Sequence, residues 1–93
     1  MKTFNDSLIK KMERLAEITI SSLQLGKINR VKRCLEIAED LLLKGNSDMK
    51  NAITNVYVYS VSHYMEFNRI AISKFFPKTL YKEYVKQINT SGV

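Results

Sequence analysis

Very little in this chain can break a regular element. Among its 93 residues glycine occurs only at 26, 45 and 92, and proline only at 77. These two residue types are the strongest local punctuation, so the chain divides into a few long stretches joined by short turns. Within each stretch apolar residues return every three or four positions, the period of one helix face. The expected fold is therefore all-α: a single helical domain over residues 1–93, built as a small bundle of four to five helices. Their expected bounds are 6–25, 28–44, 47–67, a short one at 69–76, and 78–89.

The stripes can be read residue by residue. In the first stretch Leu8, Met12, Leu15, Ala16, Thr19 and Leu23 share a face, with Asn5 or Asp6 available as a cap and Gly26 as a stop. In the second, Val31, Leu35, Ala38, Leu41 and Leu42 form the stripe, and Lys44-Gly45 ends it. The third opens at Asn46 or Ser47, with Asp48 in the first turn, where the helix dipole favours negative charge. It contains a run that favours strand, Val56-Tyr57-Val58-Tyr59. A three-and-four spacing from Met49 through Ile53, Tyr57 and Val61 to Met65 outweighs that local preference, because β-propensity is the weaker prior. A break is expected near Phe67-Asn68. Pro77 then opens the last helix, whose inward face is read as Leu80, Tyr84 and Ile88 with Tyr81 and Val85.

The turn "GNSDMKNAI" between the second and third stretches carries a resemblance. A polar cap, Asp48, Met49 as an apolar staple, Lys50 and the small Ala52 follow one another as they do where a HEAT-like repeat enters its second helix. Residues Arg30 to Met65 thus resemble one HEAT-like helix pair, which implies an antiparallel pair at the centre of the bundle. Through "EDLLLKGNSDMKNAI" and "FPKTLYKEYVKQIN" the chain also resembles small all-helical bacterial proteins of unknown function, reminiscent of toxin-immunity proteins. That resemblance implies a protein partner and carries no catalytic residue.

Composition narrows the function classes. An apolar share of 45% with 26% charged residues belongs to a folded chain rather than a disordered one. No uncharged run reaches the length of a bilayer span, and the N-terminus has no secretory pattern. Cys34 stands alone, so no internal disulfide can form, and a cytoplasmic location is expected. Chemistry is sparse. Cys34 reads as a buried, inert thiol, and His63 with Glu66 offers too few ligands for a metal. Glu36, Glu39 and Asp40 read as a solvated helix face. No enzyme and no cofactor is expected.

Charge and aromatic placement then suggest a binder. The net charge is +6. Lys27, Arg30 and Arg33 crowd the start of the second helix, against the dipole, with Lys32 or Arg33 able to pair with Glu36. Lys78, Lys82 and Lys86 form a ridge on the back of the last helix. Behind the core face of the third helix, Val58, Tyr59, Ser62 and His63 form a candidate partner-binding patch, covered either by this chain or by another, including a second copy. The leading expectation is a non-enzymatic protein–protein interaction module of immunity type. The alternative is a basic, non-sequence-specific nucleic-acid-binding protein, for which the six basic residues named would be the contact points.

Overall fold

The computed structural model describes residues 3–91, with side chains described from Ser7 to Asn89; among them every regular element is a helix. α1 spans Thr3–Gln24, α2 Ile28–Lys44, α3 Ser47–Ala52, α4 Tyr59–Phe67, α5 Ile72–Phe75 and α6 Lys78–Ser91. Between α3 and α4, Ile53–Val58 is a π-helical segment, so residues 47–67 run on as one long helix with a wide turn in its middle. α1 and α2 pack on each other and on this long helix, and α6 rests on α2 and the π segment. The two-residue link Gly45-Asn46 sends the chain straight back, so α2 and the long helix pack as an antiparallel pair. No helix among the described residues is long and apolar enough to cross a membrane.

The helix ends explain why the turns are so short. Gly26 sits at φ +71°, with its N–H on the Leu23 carbonyl (3.1 Å) and the Lys27 N–H on the Ser22 carbonyl (2.8 Å). This is a Schellman ending, and glycine enters the left-handed region without the steric penalty a Cβ brings. Gly45 is required for a different reason. A Cβ there would lie 2.6 Å from the Leu41 carbonyl oxygen and 2.6 Å from Met49 Cγ. Asn46 follows and caps α3, accepting from the Met49 N–H at 3.0 Å.

α4 ends in the same motif as α1, with a residue less suited to it. The Ile70 N–H reaches the Met65 carbonyl (2.8 Å) and the Arg69 N–H the Glu66 carbonyl (3.1 Å), which puts Arg69 at φ 59°. Replacing Arg69 with glycine removes the Cβ strain and is expected to stabilise the fold by about 1 kcal/mol. Thermal unfolding should then rise by roughly 4–8 °C. An unchanged or lowered midpoint would show that the arginine side chain contributes something this backbone reading lacks.

Several boundaries differ from expectation. α1 already begins at Thr3, so Asn5 and Asp6 lie within it rather than ahead of it; their side chains, like Gly92 and Val93, lie outside the described residues. The short helix is confined to Ile72–Phe75, because Arg69 and Ile70 are used in the α4 cap and Phe76 is already extended ahead of Pro77. α6 continues through Thr90 to Ser91.

The core is formed where the stripes meet. Met12 and Ala16 of α1, Val31, Leu35, Ala38 and Leu42 of α2, and Ile53, Tyr57, Val61 and Met65 of the long helix are buried together. Cys34 is buried beside them as a free thiol. Tyr57 is the largest fully buried side chain, and its hydroxyl lies 2.8 Å from Thr19 Oγ1. Thr19 spends its own proton on the Leu15 carbonyl (2.9 Å), so Tyr57 is the donor. α6 adds Leu80 and the half-buried Tyr84, but Tyr81 and Ile88 do not turn inward as their spacing suggests. Tyr81 is exposed, and Ile88 is 44% exposed, because the far half of α6 stands over a cleft rather than over the core.

Candidate docking cleft

The cleft exists because α6 is fastened to the rest of the bundle by polar bonds more than by apolar contact. Its first turn follows Pro77, whose ring offers no side-chain acceptor for the free N–H groups of a helix start. Glu39 of α2 supplies the acceptors from outside. Its carboxylate receives the Thr79 N–H (3.1 Å) and the Leu80 N–H (2.9 Å), a charge-assisted cap at the positive end of the helix dipole. Glu39 is therefore half-buried and structural, a correction to its reading as part of a solvated face with Glu36 and Asp40. Asp40 pairs instead with Lys44 at 3.6 Å, and neither Lys32 nor Arg33 forms an ion pair with Glu36.

Further along α6, Glu83 accepts a long bond from Thr54 Oγ1 (3.5 Å), and Gln87 Nε2 donates to the Thr54 carbonyl (2.5 Å). Thr54 lies in the π segment, where the ladder is widened and a carbonyl is within reach of a neighbouring helix. Between these tethers an open cleft of about 890 Å³ separates α6 from residues 54–66. Thr54, Asn55, Tyr59, Ser62, His63 and Glu66 line one wall, and Glu83, Tyr84, Lys86, Gln87 and Ile88 the other.

The walls are aromatic and carry carboxylates. The rings of Tyr59 and His63 are 4.1 Å apart, tilted by 41°. His63 Nδ1 lies 2.9 Å from the Tyr59 carbonyl, which can only accept, so Nδ1 carries a proton and donates it there. Across the cleft the Tyr84 hydroxyl donates to Glu66 Oε2 in a short hydrogen bond, and Tyr81 leans on the Tyr84 ring at 5.9 Å. Glu83 is paired with Lys86 at 3.3 Å, while no cation lies within ion-pair distance of Glu66 among the described residues. One turn beyond His63, Phe67 is 88% exposed, so Tyr59, His63 and Phe67 form a ridge at four-residue intervals along α4.

Burial, and after it the hydrogen bond to Glu66 and that carboxylate's charge, pushes the Tyr84 phenol up from 10.0 to about 12. The native state thus holds this proton more tightly than the unfolded chain does. The associated stability is fully present below pH 10 and is lost as pH rises from 10 to about 12. Urea midpoints measured across that window should fall, and Tyr84→Phe should flatten the fall. Tyr57, also pushed up by burial, retains part of the slope. A variant as pH-sensitive as the parent would place the effect elsewhere.

The structure splits the candidate patch of Val58, Tyr59, Ser62 and His63. Val58 and Ser62 are buried by this chain, and Tyr59 (54% exposed) and His63 remain open. The cause is ordinary helix spacing: Val58 and Ser62 precede Met65 by seven and three residues, so both share the buried face that Val61 and Met65 form. The basic residues Lys27, Arg30, Arg33, Lys78, Lys82 and Lys86 are all exposed, and of these only Lys86 lines the cleft. Outside the patch expected from sequence, Glu66 and Tyr84 line the cleft beside Tyr59 and His63, and the exposed Phe67 extends their ridge beyond it. Phe67 is the readable one, standing four residues past His63.

The Cys34 thiol is buried and the His63 imidazole exposed. Among the described residues no three His, Cys, Asp or Glu side chains gather as a metal would require. Comparison with curated proteins and with solved structures returns no match. Residues 2–90 match the model of the family described as a domain of unknown function, DUF7674, and a match over nearly the whole chain makes this protein a member of that family.

Proposed function

We propose that this chain is a non-catalytic protein-interaction module that receives its partner in the cleft between α4 and α6. The observation that carries the reading is the exposed ridge of Tyr59, His63 and Phe67 along α4, whose first two members line the cleft. Large aromatic side chains left in water at regular helical spacing are the anchors from which interfaces draw most of their energy. An immunity-type binder, which works by occluding another protein, is one form of this activity; self-association through the same face is another.

A photo-crosslinking amino acid placed at Tyr59 or at Phe67, in the cells that make the protein, tests the reading. A discrete adduct is expected at both positions and none at Lys44, which is exposed and paired with Asp40. No adduct at the ridge, or the same adducts at all three sites, would end it. Molar mass in solution then separates a second copy from a different protein.

The second reading, non-specific nucleic-acid binding, is supported by Lys27, Arg30, Arg33, Lys78 and Lys82, which are exposed and outside the ion pairs described. It requires binding to DNA or RNA that falls steeply with salt and is lost when Lys78, Lys82 and Lys86 become glutamate.

A further inference from the structure

We propose that the partner enters this cleft with an arginine side chain, held between the aromatic walls and the carboxylate of Glu66. This inference rests on the cleft being a docking site and adds the chemistry of the group that docks. Three observations lead to it. Among the described residues Lys86 is the one lysine or arginine lining the cleft, and it is already paired with Glu83 at 3.3 Å. Glu66 faces the same space with no cation in ion-pair range among the described residues, and Tyr84 holds one of its oxygens. Rings flank the carboxylate: Tyr59 tilted against His63 on one side, and Tyr84 backed by Tyr81 on the other, beside the uncharged Thr54, Asn55, Ser62, Gln87 and Ile88.

A carboxylate between aromatic faces selects for a planar cation. A guanidinium can meet the carboxylate with paired N–H donors while its face lies on a ring, and it gives up its hydration more readily than an ammonium does. An anionic group would meet Glu66 and Glu83, and a purely apolar one would leave the Glu66 charge desolvated and unpaired. The chain's overall charge of +6 does not reverse this, since charges more than about 8 Å away are largely screened at physiological salt while a contact pair is not.

The test is an NMR titration of the intact protein with N-acetyl-arginine amide, and with the lysine and norleucine amides as comparators. Saturable shifts at Tyr59, His63, Glu66 and Tyr84 are expected, with the arginine probe binding at least about threefold more tightly than the lysine probe. Glu66→Gln, which keeps the size of the side chain and an acceptor for Tyr84, should weaken the arginine probe by about tenfold. Unchanged amide dispersion in that variant shows that it is folded. Equal binding of the norleucine probe, an unaltered titration in Glu66→Gln, or no saturable shift at the cleft would overturn the proposal. Crosslinks at Tyr59 and Phe67 together with a Glu66-insensitive titration would leave the docking reading standing and remove arginine alone.

Discussion

Replacing Tyr57 with alanine is expected to lower the unfolding free energy by about 3–5 kcal/mol, a large part of the 5–15 kcal/mol typical of a small domain. The side chain is fully buried where the long helix meets α1, and its removal leaves a ring-sized cavity in the core. Tyr57→Phe separates the two components of that loss. The ring stays, and Thr19 keeps its bond to the Leu15 carbonyl, so only the O–H donated across to Thr19 disappears. That substitution is expected to cost about 1 kcal/mol. Urea unfolding of both variants checks the pair. If alanine costs no more than phenylalanine, the ring does not fill the core as described.

Glu39→Ala carries the second large effect. Two backbone N–H groups at the start of α6 lose a charged acceptor, and Pro77 provides nothing in its place. Bonds to charged groups contribute about 1.5–3 kcal/mol each, but water can reach a half-buried helix end, so a total near 2 kcal/mol is expected. The distribution of the loss is as informative as its size. Because α6 has one fully buried side chain among its described residues, Leu80, the helix should detach before the rest of the bundle unfolds. Amide exchange in α6 should accelerate by roughly thirtyfold, with α1 and α2 much less affected. Glu39→Gln, retaining one acceptor oxygen, should fall between. A uniform acceleration along the chain would mean that Glu39 supports the whole core rather than this one helix.

Most of the framework is legible because it depends on local chemistry. Gly26, Gly45 and Pro77 mark real ends, Asn46 caps α3, and Val31, Leu35, Ala38 and Leu42 turn inward as their spacing requires. The features hidden from a sequence reading depend on distance along the chain or on main-chain geometry. Glu39 meets its partners forty residues away, and nothing around it differs from an ordinary exposed glutamate. Ile88 has the spacing of a core residue, but a stripe buries only where another element lies opposite it. Val58 and Ser62, by contrast, are legible, since they precede Met65 by seven and three residues and so share its buried face.

That wide turn makes the docking ridge a matter of counting. Which side chains Tyr59, His63 and Phe67 stand beside is decided by the number of residues between Ala52 and Tyr59, and no change of side chain alters that number. A one-residue deletion at Asn55 would let the helix close into an uninterrupted α ladder and leave the later faces where they are, because the wide turn is what absorbs the extra residue. Closing the same ladder without losing a residue would instead turn everything after it by about 100°. The ridge would then leave its present face, and residues now buried would take its place. In this family an alignment gap inside residues 53–58 is therefore expected to mark the loss of the wide turn rather than a change in the face that follows it.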